Sequence, residues 1–298
     1  VALVTGAPTF TADVQLPGLR HACVLRSPWR RETGSVLLGL DEAALARVPG
    51  FLRRVDLPPL DGPALVADHP GALQALRDAA RARWSEPPGL PEALQAVDVD
   101  RALAAGSLTK DNGRVDDGPW AIDLRLDVPA AAHAGLEPRC AVARFVDDGA
   151  LEVWCGTQDP FYVRDILARD HGLPVERVTV HTMRLGGAFG GRTIATVERE
   201  AAWVAKAIGA PVKLQWNRDD EFFGGFHRPP ASHRIRARLD AQGRISDWWH
   251  ALSGSHVLFT NAAVPPWMQR LTDLIGDDGT ARGQHAPYAF ARQRRSWR

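Results

Sequence analysis

The densest run of backbone freedom in the chain is Gly186-Gly187-Ala188-Phe189-Gly190-Gly191-Arg192, followed by Thr193. Clustered glycines let a backbone come close to a ligand and aim several N–H groups at an anion. Three readings compete. A P-loop has the required glycine spacing but needs a lysine, and Arg192 stands in its place; a guanidinium is not a compact point charge for terminal phosphates. A dinucleotide fingerprint needs a strict G-x-G-x-x-G, which is absent. The third reading is an ordinary glycine-rich turn that packs a helix against a sheet. Upstream lies Thr157-Gln158-Asp159-Pro160. The Gln158 amide donates hydrogen bonds without adding charge, although alone it reads as a solvent-facing residue beside a helix cap. His133 and Glu137 have a helical ligand spacing, but Pro138 follows at once and no third ligand is apparent, so both read as structural, as does His21.

The elements that must hold these residues can be read from periodicity. Ser35 to Leu40 reads as a strand, Asp41 caps a short helix to Ala46, and Phe51 to Leu57 reads as a strand. Gly71 to Trp84 predicts a helix with Leu73, Leu76 and Ala80 on one face. Ile122, Leu124, Leu126 and Val128 alternate as in a strand, as do Leu151, Val153 and Cys155. Asp159 and Pro160 open a helix that Gly172 closes. Val178, Val180 and Thr182 form the strand that leads into the glycine loop. A second amphipathic helix runs from Val197 to Ile208 and stops at Gly209, and Pro211 to Leu214 starts another strand. His233 to Ser253 predicts a hairpin about Asp240-Ala241-Gln242-Gly243. Within it Arg234, Arg236 and Arg238 read as a solvated face opposite Ile235, Ala237 and Leu239, with an anionic cofactor tail or partner as the alternative. Trp248, Trp249 and Trp267 read as core or as the lining of a substrate funnel.

The bulk numbers exclude several classes. The chain has 298 residues, enough for two domains, with 45% hydrophobic and 24% charged residues, as in globular proteins. A net charge of +1 argues against a nucleic-acid surface. Cys23, Cys140 and Cys155 are far apart, so neither a zinc ribbon nor an iron–sulfur cluster belongs to this chain. No apolar run is long enough for a transmembrane segment. The polar stretch 109–118 reads as a linker between a mixed α/β unit over 1–108 and a second domain over 119–298.

Several short segments occur together and in a fixed order. They begin with Thr5-Gly6, Phe10, Asp13, Leu16-Pro17-Gly18-Leu19, His21-Ala22, Arg26-Ser27-Pro28 and Pro49-Gly50. Next come His133-Ala134-Gly135-Leu136-Glu137-Pro138, then Thr157 to Pro160, then the glycine loop. Pro211-Val212-Lys213-Leu214, Arg218 and Arg228-Pro229 complete the series; residues 58–120 match least well. In this order they resemble the N-terminal portion of the molybdopterin-binding large subunit of the xanthine oxidase and aldehyde oxidase family, and lean to its isoquinoline 1-oxidoreductase-like branch. The fold class implied is α+β (mixed α/β): an a/b hammerhead domain over 1–108, then the incomplete first part of a molybdopterin-binding domain over 119–298.

The resemblance implies oxidative hydroxylation of an N-heteroaromatic or aldehyde substrate, with water as the oxygen source. The cofactor implied is molybdopterin, as the cytosine dinucleotide if the source is bacterial. Electrons would leave through a small 2Fe-2S partner subunit to FAD or haem on a further subunit, an FAD subunit or a cytochrome. Gln158 would bond an oxygen ligand of the molybdenum, and the N–H groups of Phe189 and Gly190 would face the metal ligands or the pterin. Gly187, Ala188, Gly191 and Arg192 complete the cofactor-binding stretch, with Phe189 shaping the substrate pocket. No side chain here is expected to ligate metal, and the general-base glutamate is expected beyond Arg298, so no catalytic residue is assigned and the isolated segment is expected to be inactive. Thr193 stands where purine-oxidising relatives carry a glutamate, which argues against xanthine. The alternatives are a truncated or split non-catalytic scaffold that binds partner subunits, and a P-loop-like nucleotide binder. The expected compartment is cytoplasmic, with the periplasm as the alternative.

Overall fold

Alternate residues of Arg20–Val24 and Ala64–Ala67 are buried on opposite faces of one sheet, so these strands are central. Ala22, Val24, Ala64 and Val66 point into one hydrophobic cluster, and Cys23, Leu65 and Ala67 into another. The structure is a computed structural model that describes residues 4–7, 9–29, 34–87, 97–108, 110–254 and 282–297. Trp267 and Thr109 lie outside the described residues. The chain forms two compact units, Val1–Leu90 with Ala132–Phe226 and Pro91–Ala131 with His227–Arg298.

The first unit is built on a seven-stranded mixed sheet. In spatial order its strands are Val178–Thr182, Leu151–Cys155, Cys140–Phe145, Val212–Gln215, Arg20–Val24, Ala64–Ala67 and Phe51–Val55. The pairings of Leu151–Cys155 with Val178–Thr182 and of Arg20–Val24 with Val212–Gln215 are parallel; the others are antiparallel. The helices Pro160–His171 and Val197–Ile208 pack Val163, Ile166, Leu167, Ala201, Val204 and Ala205 onto one face. Asp159 caps the first of these, accepting from Tyr162 N–H at 2.9 Å, with Pro160 at the first turn, where its missing N–H costs nothing. Gly172 and Gly209 end both helices at φ +64° and +65°. The helix Ala72–Ala80 buries Leu76 and Ala80 on the other face.

Two expectations change here. The helix over Gly71 to Trp84 is shorter: Arg81 turns the chain at φ +43°, and Arg83–Trp84 pairs as a strand with Leu37–Gly39. The 109–118 stretch is not an extended connector throughout, because Lys110–Gly113 is a strand paired with Arg292–Trp297. Strands from both sides of that stretch share the seven-stranded sheet. A short polar strand such as Lys110–Gly113 reads as linker because its partners are remote in sequence.

The second unit holds a five-stranded sheet in the order Lys110–Gly113, Arg292–Trp297, Ile245–Gly254, Ala231–Leu239 and Ile122–Val128. The expected hairpin is present: Asp240 and Arg244 close it, and the Asp240 carboxylate accepts the N–H groups of Gln242 and Arg244, both at 2.9 Å. The helix Val99–Ala104, capped by Asp98, places Val99 in a cluster with Trp249 and Ala251. Arg234, Arg236 and Arg238 are not a solvated face. Their side chains are only 20–24% exposed and pair with Asp100, Asp123, Asp117 and Asp247. Arg236 also lies over Trp249 and Arg238 over Trp120. The hydrophobic residues expected beneath them do not all face a core either, since Leu239 is 43% exposed.

Candidate functional site

Strand Leu151–Cys155 delivers Gln158 to the position just before Asp159, the N-cap of helix Pro160–His171, and strand Val178–Thr182, paired beside it, leads into the glycine loop. The two segments meet at Arg192. Gln158 N–H donates to Arg192 O at 3.0 Å, and Gln158 Oε1 accepts Arg192 N–H at 3.3 Å. Thr157 Oγ1 adds a bond to Arg192 O at 3.1 Å, and Thr193 Oγ1 reaches Gln158 Oε1 at 3.4 Å. With its carbonyl end occupied, the exposed Gln158 side chain keeps its NH2 end as a donor.

The loop amides divide into two sets. Gly186 N–H donates to Glu137 Oε2 at 2.8 Å, Gly191 N–H to Ala188 O at 2.8 Å and Thr193 N–H to Gly190 O at 3.3 Å. Among the described residues no acceptor meets the N–H groups of Gly187, Ala188, Phe189 and Gly190. Unpaired successive amides in a turn form an anion-binding concavity. Gly187 and Gly190 take φ +110° and +94°, and Phe189 itself takes φ +52° with 73% of its surface exposed. A bulky side chain in the left-handed region costs about 1–2 kcal/mol. Such strain clusters at ligand-holding segments.

A layer of charged groups fixes the loop from behind. Glu137 Oε2, which holds Gly186 N–H, also accepts Arg192 Nη1 at 2.9 Å; Glu137 O accepts Arg192 Nη2, and Glu137 N–H donates to Gly186 O at 3.0 Å. Arg139, 4% exposed, donates to Gly191 O at 2.8 Å and to Thr196 Oγ1 at 3.3 Å. Burial pulls the Arg139 guanidinium below its usual pKa and pushes the neighbouring Glu198 carboxyl above its own. The guanidinium groups of Arg26 and Arg139 both lie over the Trp216 ring, 4.7 and 5.1 Å from its centre. Arg26 pairs in turn with Glu200 at 2.6 Å. Arg218 holds the carbonyls of Gly135 and Leu136 at 2.8 and 2.9 Å, which presses that turn onto Gly187.

The structure thus joins Gln158 to the C-terminal end of the loop that carries Gly187, Ala188, Phe189, Gly190 and Gly191, through Arg192 and Thr193. Arg192 is with them in backbone only: its side chain is 5% exposed and turned inward onto Glu137. No guanidinium is presented where a P-loop needs its cation. His133 and Glu137 do not share a ligand, since His133 Nδ1 bonds Phe226 O at 2.8 Å while Glu137 holds Gly186 and Arg192. No group of three or more His, Cys, Asp or Glu side chains suited to a metal ion occurs among the described residues, and no helix there is long and apolar enough to cross a membrane. Trp249 is buried against Arg236 and Arg294, and Trp248 stacks on Phe290 at 5.1 Å. Sequence reasoning missed Arg139 altogether and did not assign Glu137 to the loop. The one available signal was that Arg139 follows directly on the His133 to Pro138 segment, but adjacency carries no partner information.

Comparison with known proteins gives this geometry a context. The molybdopterin cofactor-binding domain family matches residues 110–265. The chain is 30% identical over 255 residues to a component of the nicotinate dehydrogenase of Pseudomonas putida, covering 81% of this chain and 21% of that protein. It is 29% identical over 289 residues to the β-subunit of isoquinoline 1-oxidoreductase from Brevundimonas diminuta, covering 90% and 35%. The chain therefore spans between a fifth and a little over a third of these relatives. In fold it resembles the aldehyde oxidoreductase of Desulfovibrio gigas, with a TM-score of 0.68 at 18% identity, over 100% of this chain and 37% of that one.

Proposed function

Because the chain belongs to the molybdopterin cofactor-binding domain family, we propose that it is part of the molybdopterin-binding subunit of a molybdenum hydroxylase. The reaction is oxidative hydroxylation of an N-heteroaromatic compound or an aldehyde, with water as the oxygen source. The observation that carries this reading is the bonding of the Gln158 amide to the end of a loop in which, among the described residues, four consecutive N–H groups, Gly187 to Gly190, have no acceptor. Neutral donors in fixed positions suit an oxygen-rich, anionic group, and they need no reorganisation when it arrives.

The bound cofactor supplies the two-electron oxidation of the substrate carbon. This chain supplies placement. Gln158, its carbonyl end held by Arg192 N–H, would offer its NH2 end as a neutral donor to the bound cofactor. The N–H groups of Gly187, Ala188, Phe189 and Gly190 would hold the cofactor, and the exposed Phe189 ring would offer an apolar wall to a flat substrate. Arg192 acts through Glu137 on loop shape and not as a ligand contact. The names of the two relatives, which refer to nicotinate and isoquinoline, favour N-heteroaromatics over aldehydes. Thr193 is short and neutral, which suits substrates other than xanthine. The finer assignments belong to the same proposal: the cytosine dinucleotide form of the cofactor, a 2Fe-2S partner subunit, and FAD or haem further along.

The test uses the full-length subunit purified with its partners. Molybdenum and pterin near one per subunit support the reading. Their absence removes it and leaves the non-catalytic scaffold. In the loaded enzyme Gln158→Ala is expected to lower kcat by about 10²-fold, as loss of one preorganised donor does, with little change in melting temperature. Equal loss of stability and activity would contradict the role of Gln158.

A further inference from the structure

The charged side chains behind the loop are committed to protein partners: Glu137 to Gly186 and Arg192, Arg139 to Gly191 and Thr196, and Arg218 to Gly135 and Leu136. His133 is committed on one side only. Its Nδ1 lies 2.8 Å from the carbonyl oxygen of Phe226. A carbonyl only accepts, so Nδ1 carries the proton, and Nε2 of the neutral ring is a bare acceptor. The imidazole stands against the loop. A methyl group at Gly191 would meet its Nδ1 and Cγ at 2.9 Å, and one at Gly190 would meet Nε2 at 3.7 Å. Among the described residues no donor reaches Nε2. An acceptor therefore stands beside the row of free N–H donors.

We propose that His133 is a ligand-contacting residue whose Nε2 accepts a hydrogen bond from an N–H or O–H group of the molecule held over Gly187 to Gly190. The pocket then reads a ligand that presents a donor next to its anionic or oxygen-rich part, a pattern that the N–H groups alone cannot select. This rests on the cofactor reading of the loop and extends it to a residue outside the loop. The bond to Phe226 holds the ring in the required tautomer, as an orienting partner does for a histidine ligand.

The experiment uses full-length protein with its partners, made in a host that synthesises molybdopterin and in one that does not. His133→Asn keeps a donor for Phe226 O but has nothing at the Nε2 position. It is expected to melt with the wild type and to retain about tenfold less pterin, the effect of one lost hydrogen bond. His133→Gln, which restores a polar group near Nε2, should recover part of that loss. Full pterin retention by His133→Asn overturns the proposal while leaving the cofactor reading intact. A wild type that holds no pterin overturns both. A second measurement needs no variant: diethyl pyrocarbonate acylates bare imidazole nitrogen, and His133 should be modified in the cofactor-free protein and protected in the loaded one. Equal modification in the two overturns the contact.

Discussion

Arg192 and Glu137 close a brace behind the glycine loop: Nη1 of the one stands 2.9 Å from Oε2 of the other, and that same oxygen holds Gly186 N–H at 2.8 Å. The first and last residues of the loop are thereby tied to one carboxylate. Both side chains are largely buried, 5% and 14% exposed, so losing one partner leaves an uncompensated charge. Glu137→Gln is expected to lower unfolding free energy by about 3–5 kcal/mol. Glu137→Gln combined with Arg192→Met removes both charges and should be less destabilised than the single variant. Urea denaturation of the four proteins in the cycle checks this, and simple additivity would show that the pair is not coupled.

Phe189 gives the opposite expectation. Its ring is 73% exposed, so it buries little, while its φ of +52° is strained. Phe189→Gly should leave stability unchanged or raise it by up to about 1 kcal/mol, the strain relief being partly offset by the entropy of glycine. Pterin retention should fall all the same, because the loop is no longer held in one shape. Thermal melts beside pterin fluorescence separate the two effects, and a clear loss of melting temperature would contradict the strain argument.

Much of this was legible locally, and the residues show why. Asp159, Pro160 and Gly172 bound a helix by capping chemistry alone, and Asp240 with Gly243 marks a hairpin. The glycine loop was singled out by residue type and spacing, and Gln158 only through the family resemblance. Arg292–Trp297 was not legible, because three arginines in six residues show no apolar alternation. It is a strand because Arg294 meets Asp111 at 2.7 Å, Arg292 meets Asp247 at 2.6 Å, and Arg294 lies over Trp249, all far away in the chain. Ala64–Ala67 and Cys140–Phe145 are short, mostly buried runs in which neither period distinguishes strand from helix. Arg192 misled for a related reason: a basic residue ending a glycine loop suggests a ligand contact, and only the fold reveals its inward partner.

His171 sets a pH dependence in the first unit. It lies 5.3 Å from the ring of Phe145 and 4.4 Å from that of Trp203, with neither ring nitrogen hydrogen-bonded. Burial, reinforced by the positive charge of Lys206, lowers its pKa from 6.5 to about 4. The unfolded chain then binds the proton more readily than the folded one between these values. Stability is fully present above about pH 6.5 and declines as the pH falls toward 4. His171→Phe should flatten that decline in denaturation midpoints measured between pH 7 and pH 4.5. A variant as acid-sensitive as the wild type would place the sensitivity elsewhere, with His250 in the second unit, also lowered to about 4 by burial, as the next group to replace.

Asp247 makes the corresponding case for the second unit. It is 1% exposed and accepts from Arg292 at 2.6 and 3.0 Å and from Arg238 at 3.3 Å, so it pins the edge of the hairpin to the strand that runs parallel to it. The hydrogen bond from Arg292, with that of Arg238, holds its carboxyl below the usual range. A depressed carboxylate contributes stability above its unfolded pKa and loses it as the pH falls through the folded value. Asp247→Asn keeps the shape and removes the charge, and should cost about 1.5–3 kcal/mol at neutral pH, the range for hydrogen bonds to charged groups. The difference from wild type should shrink below about pH 4, where the carboxyl of the unfolded chain begins to protonate while the native one is still held ionised. Hydrogen exchange of the Ile245–Gly254 and Arg292–Trp297 amides at pH 7 and pH 3.5 reads both the local effect and its sign. Protection equal to wild type at pH 7 would show that Arg238 and Arg292 are satisfied without it.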